Sequence, residues 1–72
     1  MTWSYERNGL VIAHQLRQVG PDVYELRSVD FDGYAKVERF RAEIDALRRQ
    51  MELERALIVK GWSLDVFRAH AA

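Results

Sequence analysis

The sequence has no cysteine, one proline and four glycines among its 72 residues. Without cysteine, the chain can form neither a disulfide nor a thiolate metal site. It also has no excess of either charge, since eleven basic residues balance eleven acidic ones. This balance argues against strong non-specific binding to polyanions, because such binding depends on positive charge.

Long apolar segments and targeting signals are missing as well. No apolar run approaches the ~20 residues that cross a bilayer. A signal peptide starts with basic residues that are followed by an apolar segment. The first residues here, Met1 to Tyr5, do not have this pattern. The lack of cysteine is typical of a reducing compartment. We therefore expect a cytoplasmic protein.

Side chains suited to catalysis are few. The only two histidines, His14 and His70, are far apart and have no neighbour at a metal-ligand spacing. No serine lies in a glycine-rich elbow, and the isolated glycines form no phosphate-binding loop. Because function has to be argued from a site, we expect no enzyme, no cofactor and no metal.

The length predicts a single small α+β domain over residues 1–72. A chain of this size buries only roughly 60% of its unfolded surface when it folds. Small domains usually gain further stability from disulfides, a metal or association. Since the first two have no residues to support them here, association is the expected source.

Two turn signals divide the first part of the chain into three predicted strands, over residues 2–7, 10–19 and 23–31. Asn8-Gly9 favours a type I′ hairpin, and Gly20-Pro21-Asp22 is a second turn. Short turns between alternating segments predict an antiparallel meander. The register that they imply pairs Tyr5 with Ile12, Trp3 with His14, Leu16 with Leu26, and Gln18 with Tyr24.

A long helix is predicted over residues 34–60, which contain no glycine or proline and many strong helix formers. We expect Asp30 or Asp32 to cap its start and Gly61 to end it. A helix of about 27 residues is ~40 Å long, whereas eight-residue strands span only ~26 Å. Its C-terminal half is therefore expected to extend beyond the sheet.

The expected fold is a three-stranded antiparallel meander followed by one long helix and a short C-terminal helix or strand, β-β-β-α. Both alternatives stay open for residues 62–70. A short helix over Leu64 to His70 fits a cap at Ser63. The alternation of Trp62, Leu64 and Val66 favours a strand instead.

On a helical wheel, the predicted helix has two apolar stripes on nearly opposite sides. We expect the bulkier stripe to pack against the sheet: Val37, Phe40, Ile44, Leu47, Met51 and Ile58. The smaller stripe supplies most of the predicted partner interface: Ala35, Ala42, Ala46, Leu53, Leu57, Ile58 and Trp62. In the alternative arrangement, the segment from Trp62 to Phe67 covers that stripe from within the same chain.

These patterns favour a small non-enzymatic protein–protein interaction module, a homodimer through the long helix. An antiparallel two-fold pair is the commonest way to close such an interface. The expected role is that of an adaptor or an inhibitor of a larger protein machine. In size and style the chain resembles small proteins of phages and mobile elements that inhibit host systems.

The alternative function is nucleic-acid binding. A three-stranded meander that leads into a helix through Phe31 to Phe40 resembles, in topology, the sheet-reading DNA-binding modules of plant AP2-type factors and integrase arm-binding domains. This resemblance implies nucleic-acid contacts from the exposed sheet face, through Gln15, Arg17 and Arg27. Residues 1–33 carry three basic and five acidic side chains, so protein binding is the preferred interpretation.

Overall fold

The computed structural model describes residues 1–65 and has one helix packed on one face of an antiparallel sheet. The strands are β1 Thr2–Arg7, β2 Leu10–Gly20, β3 Val23–Val29, β4 Ala35–Phe40 and β5 Ser63–Leu64, and the helix is α1 Glu43–Val59. The strands lie in the order β4-β3-β2-β1-β5, and each neighbouring pair is antiparallel. The α+β class is therefore confirmed.

The predicted register of the first three strands is confirmed. Tyr5 pairs with Ile12, Trp3 with His14, Leu16 with Leu26, and Gln18 with Tyr24. Asn8 and Gly9 both have positive φ, 50° and 81°, as a type I′ turn requires. The second turn is tighter than predicted, because Gly20 pairs with Val23 and a bulge after Gln18 absorbs the extra residue.

The prediction of only three strands before the helix is wrong, because β4 occupies part of the segment that was predicted to be helical. Gly33 has a φ of +88°, and the Asp30 N–H donates to the Tyr34 carbonyl at 2.8 Å, closing a turn. Residues Ala35–Phe40 then pair with β3. This pairing satisfies the backbone groups along the edge of β3, which a helix in this position cannot do.

The helix is accordingly shorter than predicted. Its 17 residues span about 26 Å, which is close to the length of the strands, so the predicted extension beyond the sheet is wrong. Asp30 and Asp32 accept hydrogen bonds from the backbone N–H groups of Phe31 and Tyr34 in the loop. Neither aspartate caps α1, whose N-cap residue, Ala42, makes no side-chain capping bond.

The predicted helix end at Gly61 is confirmed. Gly61 has a φ of +94°, its N–H donates to the Ile58 carbonyl, and the Trp62 N–H donates to the Leu57 carbonyl, both at 3.0 Å. These two bonds define a Schellman motif. The chain then turns back, and Ser63–Leu64 pairs with β1 as a strand. Most of the alternative closing helix lies outside the described residues.

The two apolar stripes of the predicted helix largely exchange their expected roles, although Phe40 and Leu47 pack against the core as predicted. Ala46 is fully buried, and Leu53 and Leu57 pack against the core. Met51 and Ile58, which were assigned to the core, are 61% and 54% exposed. Aromatic side chains of the sheet occupy much of the interior, and the small side chain of Ala46 lets the helix pack closely on them. Those aromatic residues are Trp3, Tyr5, Tyr24 and Phe40.

Candidate functional site

A set of hydrogen-bonded polar side chains lies in the interior, beside the two apolar clusters. Gln50 Nε2 donates to the Tyr5 hydroxyl at 2.7 Å, and that hydroxyl donates to Glu54 Oε1 at 2.8 Å. Gln50 Nε2 also lies 3.5 Å from His14 Nδ1. Gln50 and His14 are 2% and 3% exposed. These contacts connect α1 to both β1 and β2.

Burial changes the acid–base behaviour of two members of this set. It raises the pKa of Tyr5 well above its ordinary value of 10, and the hydrogen bond to Glu54 and the charge of Glu54 add to that rise. Burial lowers the pKa of His14 below 6.5, while the charge of Glu54 partly opposes the change. His14 is therefore neutral at pH 7. With Nδ1 accepting from Gln50, the ring proton lies on Nε2.

An exposed side of α1 carries an apolar stripe, here named the outer stripe: Ile44, Met51 and Ile58. All three side chains are more than half exposed. A spacing of seven residues places them along one line of the helix, over about 21 Å. Beside them runs a charged flank that alternates in sign: Asp45, Arg48, Glu52 and Arg55.

A cleft of about 360 Å³ lies between the C-terminal half of α1, the loop after β3, and strands β2 to β4. We name it the helix–loop cleft. Its apolar wall is formed by Ile12, Leu53, Ala56 and Leu57. Its polar lining consists of His14, Ser28, Asp30, Tyr34, Lys36, Glu38 and Lys60. A volume of this size is within the range of small-molecule sites.

The sheet face opposite α1, named the open face, carries the residues predicted for nucleic-acid contacts. Arg17 and Arg39 lie on either side of Glu25, at 3.9 Å and 2.9 Å from its carboxylate. Gln15 and Arg27 are paired residues on the next rung of the same face. The structure thus brings the three predicted residues together and adds Arg39.

No protein family, curated protein or solved structure matches the chain. The functional residues are therefore inferred from geometry alone. Across residues 1–65, no three histidine or acidic side chains are grouped to hold a metal ion, and no helix is long and apolar enough to cross a bilayer. The cytoplasmic location stays a prediction.

The residues of the predicted partner interface do not lie on one helical face. Ala35 is exposed on β4, and Ala42 is the half-buried residue before α1. Ala46 and Trp62 are buried, whereas Leu53 and Leu57 pack against the core. Of the seven, Ile58 is the one that belongs to the outer stripe. The helix-dimer hypothesis therefore depends on Ile44, Met51 and Ile58.

Sequence reasoning also missed the helix–loop cleft. The predicted pairing of Leu16 with Leu26 implies that Ser28 lies opposite His14, and the structure has this pairing, but no hydrogen bond joins the two side chains in the described structure. Lys36 and Lys60 were given no role. The one feature of the sequence that singles them out is that they are the only two lysines among eleven basic residues.

Proposed function

We propose that the chain is a non-enzymatic protein–protein interaction module that forms a homodimer through the outer stripe of α1. The supporting observation is the exposure of Ile44, Met51 and Ile58 on the side of the helix that no described part of the chain covers. An exposed apolar line with polar residues beside it is typical of a helix that binds another helix. In a domain with so small a core, burial of this line stabilises the fold as well.

The spacing of the outer stripe suits an antiparallel second copy. With a two-fold axis at Met51, this residue lies beside its own copy. Ile44, seven residues before it, then lies beside Ile58 of the second copy, seven residues after it. The apolar line is therefore self-complementary in this orientation.

The native mass from light scattering coupled to size-exclusion chromatography tests this proposal. We expect twice the 8.5 kDa of one chain. Met51→Glu places two carboxylates at the two-fold axis, and we expect it to raise the dimer dissociation constant by about 100-fold or more. Its helical circular dichroism should be unchanged, because Met51 does not pack in the core.

Val37→Glu is the matched control, since Val37 is also about half exposed but lies on the open face. It should leave the dimer intact. A wild-type mass of one chain at every concentration measured would exclude the homodimer.

We propose that the dimer acts by occupying a surface, as an adaptor or an inhibitor of a larger protein machine. The interior polar side chains support a binding role rather than a catalytic one, because they make their hydrogen bonds with one another. The Tyr5 hydroxyl both accepts and donates a hydrogen bond, and Gln50 contacts both Tyr5 and His14. These groups hold α1 on the sheet, which is a structural use of them.

Nucleic-acid binding by the open face is the second candidate, and the position of Arg39 favours it. Three arginines, Arg17, Arg27 and Arg39, lie on three adjacent strands of that face. Glu25 is ion-paired with two of them, which reduces the positive potential that a phosphate backbone needs.

A further inference from the structure

A single rung of the sheet places three polar side chains at the helix–loop cleft. His14 on β2 pairs with Ser28 on β3, and Ser28 pairs with Lys36 on β4. Paired residues point to the same face of a sheet, and neighbouring strands lie about 4.8 Å apart. The rung therefore presents an ammonium, a hydroxyl and an imidazole side by side, and all three can donate hydrogen bonds.

The position of α1 leaves the Ser28 and Lys36 end of this rung accessible, whereas His14 is buried. The helix is attached to β4 near its N-terminal half, where Arg49 Nε donates to Glu38 at 3.1 Å. At its other end it is held against β1 by Leu57 and Trp62. The corner between Lys36 and the helix end at Lys60 stays open as the cleft.

Two lysines of the cleft are available to an anion. Neither Lys36 nor Lys60 takes part in an ion pair within residues 1–65. Of the two acidic residues in the lining, Glu38 is ion-paired with Arg49, which lies outside the lining. Asp30 remains, and its carboxylate accepts the Phe31 N–H. The lining is formally neutral, and its two ammonium groups are the ones that an anion can contact.

We propose that the helix–loop cleft binds a small molecule that has an apolar body and one carboxylate or phosphate group. The anionic group contacts Lys36, Ser28 and Lys60, where positive charge and hydrogen-bond donors are available. The apolar body lies on the wall formed by Leu53, Ala56 and Leu57. This site is distinct from the outer stripe, so it does not depend on dimer formation.

Titration with 4-phenylbutyrate tests the proposal, with 4-phenylbutan-1-ol as the neutral analogue and inorganic phosphate as the anion without an apolar body. Binding is followed by amide chemical shifts in ¹H–¹⁵N spectra and by calorimetry. We expect the shifts to concentrate at Ser28, Lys36 and Lys60. We expect the carboxylate to bind about tenfold more tightly than the alcohol, because it gains a charge-assisted hydrogen bond.

Lys36→Gln and Lys60→Gln should each weaken phenylbutyrate binding by about tenfold. Both side chains are exposed, so the fold should be retained. Arg41→Gln is the control, because Arg41 is exposed and does not line the cleft, and it should leave the affinity unchanged. Equal binding of acid and alcohol, equal binding of phosphate and phenylbutyrate, or an equal loss in Arg41→Gln would each overturn the proposal.

Discussion

His14 is an ionisable side chain in the interior, 3% exposed and held between the ring of Tyr5 and the amide of Gln50. Its lowered pKa has a consequence for stability. Below pH 6.5 the unfolded chain binds a proton at this histidine, whereas the folded chain keeps it neutral until the pH is lower. Stability is therefore complete above pH 6.5 and is lost as the pH falls towards the folded-state pKa.

We expect the free energy of unfolding to decrease between about pH 7.5 and about pH 5.5 more steeply in the wild type than in His14→Gln. Urea denaturation at equal protein concentration measures both slopes. Comparison with the variant removes the contribution of the carboxylates, which titrate in both proteins. Parallel slopes would show that His14 does not resist protonation in the folded state.

The C-terminal end of α1 shows how a single backbone conformation places a whole element. Gly61 in the left-handed region reverses the chain, and this reversal brings Trp62 into contact with the core cluster of Tyr5 and Ile12. Strand β5 can then pair with β1. The three atoms nearest to a Cβ added at Gly61 all belong to Arg7, and none is closer than 3.6 Å, so the cost of substitution lies in the backbone.

Gly61→Ala should lower the free energy of unfolding by about 1 kcal/mol, because an L-residue is strained at this φ. Chemical denaturation gives the value directly. Gly20→Ala is the matched control: Gly20 has no positive φ, and an added Cβ meets Val23 at an ordinary 3.8 Å. We expect a change within about 0.5 kcal/mol there. Equal losses in both variants would contradict the role of the Schellman motif.

On the scale of the whole molecule, the chain has no net charge. Nucleic-acid binding therefore depends on a local basic patch, and the open face carries the predicted one. On that face, Glu25 engages Arg17 and Arg39. The helix–loop cleft and the outer stripe lie on the opposite side of the sheet. The fold thus separates three surfaces that can be tested independently.

We expect the wild-type protein to cause no mobility shift of duplex DNA at physiological salt, since Glu25 offsets the arginine charges. Glu25→Gln frees Arg17 and Arg39, and it should strengthen any binding seen at low salt. Asp45→Asn is the control: it removes one negative charge, as Glu25→Gln does, but on the helix. It should not strengthen DNA binding. A wild-type shift that disappears in Arg17→Ala and Arg27→Ala would instead favour the nucleic-acid candidate.

Part of the candidate site was visible in the sequence and part was not. The pairing of His14 with Ser28 follows from counting residues between two turns, because each tight turn sets the register of its hairpin. The addition of Lys36 to that rung was not predicted, since residues 34–40 have no glycine or proline and continue without a break into a run of strong helix formers. The Asp32-Gly33 pair, a hairpin signal in its own right, was interpreted as the entry to a helix.

The sequence by itself determined the features that depend on one or two backbone angles: the Asn8-Gly9 turn, the register around it, and the helix end at Gly61. It also indicated two apolar stripes, parts of which lie on α1. Only the tertiary structure decided which stripe is buried, because that depends on the space left by the aromatic side chains of the sheet. For the same reason Ala46 lies in the core, and Met51 stays available to a second chain.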